Sequence, residues 1–274
     1  MRGGKRAVRS LVAAAVLCGA AILLPGLAGA EFEIPEVDVE RGGIEAEYRG
    51  ASHQGLPAPD KDGAIDALRQ SHELEIQYGL TSFWALRLTP NVEQPAGASL
   101  EFTTIGLETQ FVLVPRHGGT FGLALMGGYA PVSWFVDLEE PDEFEFGPVI
   151  EVAQGGWLLT LNPRLVDQVG RHAETEGLGF EYAGQLEYRF ADRWSVALLS
   201  FGEIDELAHT GSFDEQTHLL GPGIYFYSSE DDEGKSRNNP GLMPGEWSLG
   251  VGTLLGLTGA SADTAIRVTF AVEY

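Results

Sequence analysis

The sequence predicts an all-β fold, a transmembrane antiparallel up-and-down β-barrel of about 12 strands. Three observations lead there. Apolar and polar residues alternate with a period of two in one segment after another from residue 43 onward, the mark of strands whose two faces meet different surroundings. The first 30 residues read as an export leader, and after them no run of about eighteen apolar residues is present to form a membrane helix. Hydrocarbon offers no partner to an open sheet edge, so strands that enter a membrane must close into a barrel.

The leader comes first in the chain. Arg2, Lys5, Arg6 and Arg9 form a basic start, Leu11 to Leu24 an apolar stretch, and Ala28-Gly29-Ala30 a small-residue cleavage site before Glu31. Residues 1–30 are therefore expected to be a cleaved signal peptide, residues 31–42 an N-terminal periplasmic or plug segment, and residues 43–274 the barrel. Cys18, the single cysteine, lies inside the leader after the large Leu17, which disfavours lipidation and leaves the mature chain without a disulfide. The leader carries four of the 17 basic residues and none of the 40 acidic ones, so the mature net charge is about −27. That balance excludes nucleic acid as a partner, which requires a basic patch. A chain 44% hydrophobic and 10% aromatic is also too apolar to be disordered.

Twelve candidate strands follow, near 43–50, 71–79, 83–90, 99–113, 119–129, 143–153, 157–165, 178–190, 193–203, 216–227, 246–257 and 263–274. One parity is greasy, as in Leu74/Ile76/Tyr78, Trp84/Leu86/Leu88, Phe121/Leu123/Leu125 and Trp157/Leu159/Leu161. The opposite parity carries charge: Glu45, Glu47, Arg49, Glu73, Glu75, Arg87, Glu108, Glu145, Glu151, Arg164, Glu181, Glu187, Arg189, Arg267 and Glu273. A soluble sandwich also alternates, so the connections and aromatics have to decide. Short connections (79–82, 116–119, 153–156, 191–193) alternate with long ones (51–70, 130–142, 166–177, 204–215), as periplasmic turns and external loops do in outer-membrane barrels. Residues 228–245 are long where a short turn is expected, so either they form a periplasmic excursion or the strand count is off by a hairpin. Trp84, Trp157, Trp194, Trp247, Tyr129, Tyr188 and Tyr274 sit at strand ends, where an interfacial girdle places them.

The last stretch, "AIRVTFAVEY", alternates throughout, with Ile266, Val268, Phe270, Val272 and Tyr274 on one side. It resembles the C-terminal signal that outer-membrane barrels present to the bacterial assembly machinery. "HELEIQYGLTSFWALRL" (72–88), "EYAGQLEYRFADRWSVALLSFGEI" (181–204), "HLLGPGIYFY" (218–227) and "LLGLTGASADTAIRVTFAVEY" (254–274) resemble an uncharacterised proteobacterial outer-membrane β-barrel family. Its relatives are grouped with transporters of the kind linked to phenol meta-cleavage pathways. The likeness spans most of residues 70–274, while "SSEDDEGKSRNNPGL" and the N-terminal extension depart from it. It implies an outer-membrane location, with lipid, lipopolysaccharide and the assembly machinery as partners.

For function, the inward set is the informative part. Ten glutamates against five arginines leave carboxylates that must be hydrated or bind cations, which predicts an acidic lumen passing small cationic or neutral solutes. A hydrated salt-bridge network that stiffens the barrel and conducts little is the alternative. The expected lumen-lining residues are Glu45, Glu47, Arg49, Glu73, Glu75, Arg87, Glu108, Glu151, Glu181, Glu187, Arg189 and Arg267. Gly221, Gly223, Gly250, Gly252 and Gly256 share one inner face, either as a groove for a loop, the piece "EFEIPEVDVE" (31–40) or a solute, or as relief where the wall bends. Acidic stretches at 137–145 and 230–234 lack calcium-loop spacing, the six histidines form no ligand pair, and no cofactor or metal is expected. Two rival classes remain: a lipid-hydrolysing barrel using Ser200 and His218 on the outer wall, and a structural or surface-interaction barrel.

Overall fold

The strands observed in the computed structural model are β1 (Ile44–Gln54), β2 (Leu68–Thr81), β3 (Trp84–Pro95), β4 (Glu101–Val114), β5 (Phe121–Ala130), β6 (Asp142–Gln154), β7 (Trp157–Val169), β8 (Leu178–Ala191), β9 (Trp194–Ile204), β10 (Thr217–Tyr227), β11 (Glu246–Gly256) and β12 (Thr264–Glu273). The structure describes residues 32–56, 68–95, 99–130, 142–170, 177–228 and 246–274. Each strand pairs antiparallel with its sequence neighbours, and β12 returns to β1, so the sheet is a closed barrel of 12 strands without a free edge. The closing seam runs from Glu45 opposite Glu273 to Gln54 opposite Thr264. Reciprocal bonds between the Ile44 and Tyr274 backbones tie it at one end. That end, where β1 starts and β12 stops, is called the lower end here.

The alternation places apolar side chains outside and charges inside, the inverse of a water-soluble protein. Leu86, Leu107, Phe121, Phe144, Phe146, Trp157, Leu198 and Leu255 are exposed on the outer wall, whereas Arg49, Glu75, Arg87, Glu151 and Arg267 are buried. An exposed apolar surface continuous around a barrel is suited to hydrocarbon, not to water. Aromatic rings collar the lower end. Trp84 stacks on Phe111 at 5.6 Å and Trp157 leans on Tyr188 at 4.6 Å. Trp194, Phe226, Trp247 and Phe270 continue the collar with centroid separations of 5.0, 5.3 and 6.3 Å.

Tight turns join strands at the lower end. In the β6–β7 turn, Gly155 and Gly156 take φ of 57° and 84°, a left-handed pair that side chains disfavour and that suits a two-residue hairpin. The direct pairing of β10 with β11 keeps the count at 12, and residues 229–245 between them lie outside the described residues. At the upper end the strands run further than the apolar alternation predicts. β1 continues to Gln54, β3 to Pro95 and β7 to Val169, while β2 begins at Leu68. The added residues include Ser52, Gln54, Arg69, Gln70, Asn91, Glu93 and Gln168. Beyond the apolar band, strand pairing persists there while the apolar pattern does not.

Candidate functional site

Residues 32–40 lie inside the barrel. Their sequence alternates twice, with Phe32 and Ile34 before Pro35 and Val37 and Val39 after it, so the proline moves the apolar residues from one parity to the other. The two halves serve two walls. Phe32 joins a cluster with Ala51, Leu199, Phe201, Leu219, Tyr225, Leu254 and Ala265, mainly from β9 to β12. Val37 and Val39 join Ala85, Val112, Ala124, Met126 and Val149 from β3 to β6. Phe32 is 1% and Val37 0% exposed, so the lumen is filled at both levels.

Polar bonds fix the same segment. Gln110 Nε2 donates to the Glu36 and Val37 carbonyls at 2.8 and 3.0 Å, and the Val37 amide donates to Glu151 Oε1 at 3.0 Å. Asp38 accepts from the Arg116 and His117 amides, each at 2.8 Å, in the β4–β5 turn. Arg267 Nε donates to the Phe32 carbonyl at 2.9 Å. Glu33 bridges two walls, 2.7 Å from Arg87 Nη1 and 3.4 Å from Arg164 Nη1. A buried charge survives only where partners replace its water, and this segment both receives and supplies such partners.

The residues expected to line the lumen occupy these networks. Arg49, 1% exposed, bonds Glu73, Glu75 at 2.8 Å and Glu47 at 3.1 Å. Arg87 adds Gln77 and Gln110, each at 2.7 Å, and lies 3.3 Å from Glu75 and 3.7 Å from Glu108. Gln77 in turn bonds Glu45 at 3.2 Å. Arg164 holds Glu145 at 2.7 Å and Glu181 at 2.8 Å. Glu151 pairs with Arg116 at 2.5 Å. Glu187 accepts from Tyr227 Oη at 2.9 Å, and the Arg189 guanidinium lies 4.4 Å from the same ring. Arg267 reaches Tyr225 Oη at 2.9 Å, and that hydroxyl donates to Gln185 at 2.8 Å.

Above this network an unfilled cavity of about 190 Å³ lies against β2 to β8. Its lining includes Glu73, Glu93, Glu108, Glu143, Glu145 and Glu181, with Arg164 as the single cation, and Asn91, Thr104, Tyr129, Ala130 and Val166 between them. The sequence reading missed Asn91 and Glu93 because they lie where the apolar alternation has faded, Glu143 although it opens the expected strand 143–153 on the parity of Glu145, and Glu33 because it precedes the first strand. The available signal for Glu33 was the doubled alternation about Pro35.

The opposite wall is smooth. Gly223 and Gly252 flank Leu199, and a Cβ on either would stand 3.1 or 2.9 Å from its Cδ1. A Cβ on Gly250 would meet the Tyr225 ring at 2.5 Å. Leu199 and Tyr225 therefore occupy the glycine groove, and Phe32 packs in the same cluster. Gly221 serves the backbone instead. Its missing Cβ admits the Thr253 carbonyl, within a break of the β10–β11 ladder between Leu220 and Gly223.

Of the C-terminal set, Ile266, Val268, Phe270 and Tyr274 are half-buried. Val272 shares their parity and is buried, between its register partners Trp247 and Ala46. The Ser200–His218 pair does not form. Ser200 stands opposite Leu220, while His218 stands opposite Gly202, Tyr182 Oη lies 3.0 Å from its Nδ1, and Gln216 Oε1 lies 2.9 Å from its Nε2. Both ring nitrogens are thus engaged elsewhere, so His218 is not placed to activate Ser200. The acidic stretches 137–141 and 230–234 lie outside the described residues. Among the described residues no group of three or more potential ligands is arranged to hold a metal ion.

No family model and no curated protein sequence matches the chain. Solved structures do. An outer membrane channel from Pseudomonas putida F1 is 10% identical, with a TM-score of 0.54, covering 90% of this chain and 98% of that one. The KdgM porin is 9% identical, with a TM-score of 0.49 over 85% of this chain and 99% of its own. The NanC porin is 8% identical, with a TM-score of 0.48 over 83% and 98%. At such identities the likeness shows the fold alone: this chain is a 12-stranded barrel of the kind seen in bacterial outer-membrane proteins.

Proposed function

We propose that the protein is an outer-membrane channel for small cationic or neutral solutes, with its resting lumen occupied by its own N-terminal segment. In this reading the lower end faces the periplasm, the upper end faces outward, and the greasy wall meets outer-membrane lipid and lipopolysaccharide. The observation that carries it is the acidic cavity above the segment, six glutamates against one arginine in its lining. Such a field raises the local concentration of cations and repels anions. The segment is a removable obstruction because it is anchored at separate points, by Glu33, Asp38 and two apolar clusters, and no strand of the barrel pairs with it.

Recording in planar bilayers tests this. The expected result is small cation-selective steps that weaken when Glu75, Glu108 and Glu187 are changed to Gln. Removing residues 31–40 is expected to enlarge them severalfold. A silent bilayer with both proteins favours the second reading, a structural barrel, for which the burial of Phe32 and Val37 is the supporting observation.

A further inference from the structure

We infer that the lumen carries a recognition site for a secondary amide, a clamp formed by Gln110 and Glu151, and that its ligands beyond the chain's own segment are short extended peptides. The inference deepens the channel reading, on which it rests for its biological meaning, by naming a class of solute within it, peptides that are neutral overall.

The clamp closes on a single peptide group. Gln110 Nε2 donates to the Glu36 carbonyl at 2.8 Å, and Glu151 Oε1 accepts from the Val37 amide at 3.0 Å. These are the two ends of one peptide bond, which is therefore read at its oxygen and at its N–H. Both reading side chains are enclosed, with Gln110 0% and Glu151 2% exposed. Gln110 Nε2 also reaches the Val37 carbonyl at 3.0 Å, and Arg267 Nε the Phe32 carbonyl at 2.9 Å. None of these bonds involves a side chain of the segment, so they are open to any peptide main chain.

The second observation is independent of the segment: the barrel wall itself sets which arm donates and which accepts. Arg87 Nη2 donates to Gln110 Oε1 at 2.7 Å. Arginine has no acceptor, so the oxygen of Gln110 must face it, and the NH2 group is left for the lumen. Arg116 Nε donates to Glu151 Oε2 at 2.5 Å, which leaves Oε1 as the free acceptor. A preset donor and acceptor match a secondary amide, which carries one of each. An ester or a carboxylate lacks the N–H and sets an oxygen against Glu151, a buried mismatch that costs binding.

Apolar seats on either side set the length. The Phe32 ring lies 4.8 Å from Phe201 and meets His53 edge-on at 5.6 Å, while Val37 and Val39 lie among Val112, Ala124, Met126 and Val149. An extended peptide of about six to eight residues spans both seats.

Calorimetric titration in a zwitterionic detergent tests the clamp. The probe is a synthetic copy of residues 32–40 with its four acidic side chains as amides, and the control is the same peptide with an ester in place of the Glu36–Val37 amide. A tethered segment competes at an effective concentration on the order of millimolar. The receptor is therefore the full chain carrying Phe32→Asp and Val37→Asp, which unseat the segment. The expected result is one-to-one binding of the amide peptide, tighter by about tenfold or more than to the unaltered protein, with the ester weaker by about tenfold. The variant is first checked for the heat-dependent gel shift of a folded barrel. If it fails to fold, the unaltered protein decides: excess amide peptide is expected to displace the segment and speed hydrogen exchange at its Val37 amide, and the ester to do so about tenfold less effectively. No binding to the folded variant, no displacement, or equal effects of amide and ester overturn the inference. Parallel bilayer recordings separate the two readings. Conductance without peptide binding removes the clamp and leaves the channel, whereas peptide binding in a silent bilayer does the reverse.

Discussion

The two sides of the lumen are built on opposite terms. From β1 to β8 the inner wall is crowded with long charged side chains, and its stability lies in arginines that each serve several carboxylates, as Arg49 and Arg87 do. From β9 to β12 the wall carries mostly glycine, alanine and leucine, with Arg267 bonded to Tyr225 among them, and its stability lies chiefly in close backbone approach and apolar contact. The N-terminal segment reads both, with Phe32 on the smooth wall and Glu33 on the charged one. A charged wall tolerates little deletion and a smooth wall little addition. That asymmetry is open to attack from either side.

The largest effect is expected on the smooth wall. Gly221→Val sets a branched side chain against the Thr253 carbonyl, and the clash is with backbone, which has no rotamer to escape to. Loss of the folded, heat-modifiable species on gels is the expected outcome, whereas Ala124→Gly on the far wall keeps it. Next is the charged wall. Arg87→Met removes the shared partner of Glu33, Glu75, Gln77 and Gln110, and stranding buried carboxylates costs about 3–5 kcal/mol. Urea unfolding followed by tryptophan fluorescence measures that loss. A drop below about 1 kcal/mol would mean that water already compensates these charges, and the contrast between the walls would dissolve.

The smallest effect concerns the loop above the smooth wall. Glu215 accepts from the Ser212 amide at 2.7 Å and hydroxyl at 3.0 Å, and these bonds hold its carboxyl below the usual glutamate range. A lowered folded pKa means that the contribution is present above the ordinary value and is lost as pH falls through the lowered one. Faster exchange of the Ser212 amide, corrected for intrinsic rate, is therefore expected in that acidic window. In Glu215→Ala the amide should already exchange fast at neutral pH. The effect stays local, because Asp214 separately accepts from Gly259 and Ala260 in the β11–β12 loop.

Within the hydrocarbon span the sequence was readable strand by strand, because a greasy residue such as Leu86 and a charged one such as Arg87 answer to different solvents. Two things escaped that reading. The upper strand ends run past the apolar alternation, so Asn91 and Glu93 carry no signal of orientation. The partners of the N-terminal segment were hidden as well. Its sequence shows an alternating piece broken by Pro35, but which walls receive Phe32 and Val37 is settled only by closure of the barrel.

The polar extension of the upper strands has a geometric result. A strand of 14 residues, as in β2, β4 and β8, rises about 35 Å along the axis at a usual tilt, against an apolar band of about 25 Å. The barrel thus ends in a chimney standing roughly 10 Å clear of such a band. Glu93 and Glu143 line the chimney's inner face, so carboxylates stand at the level where the wall leaves the apolar band.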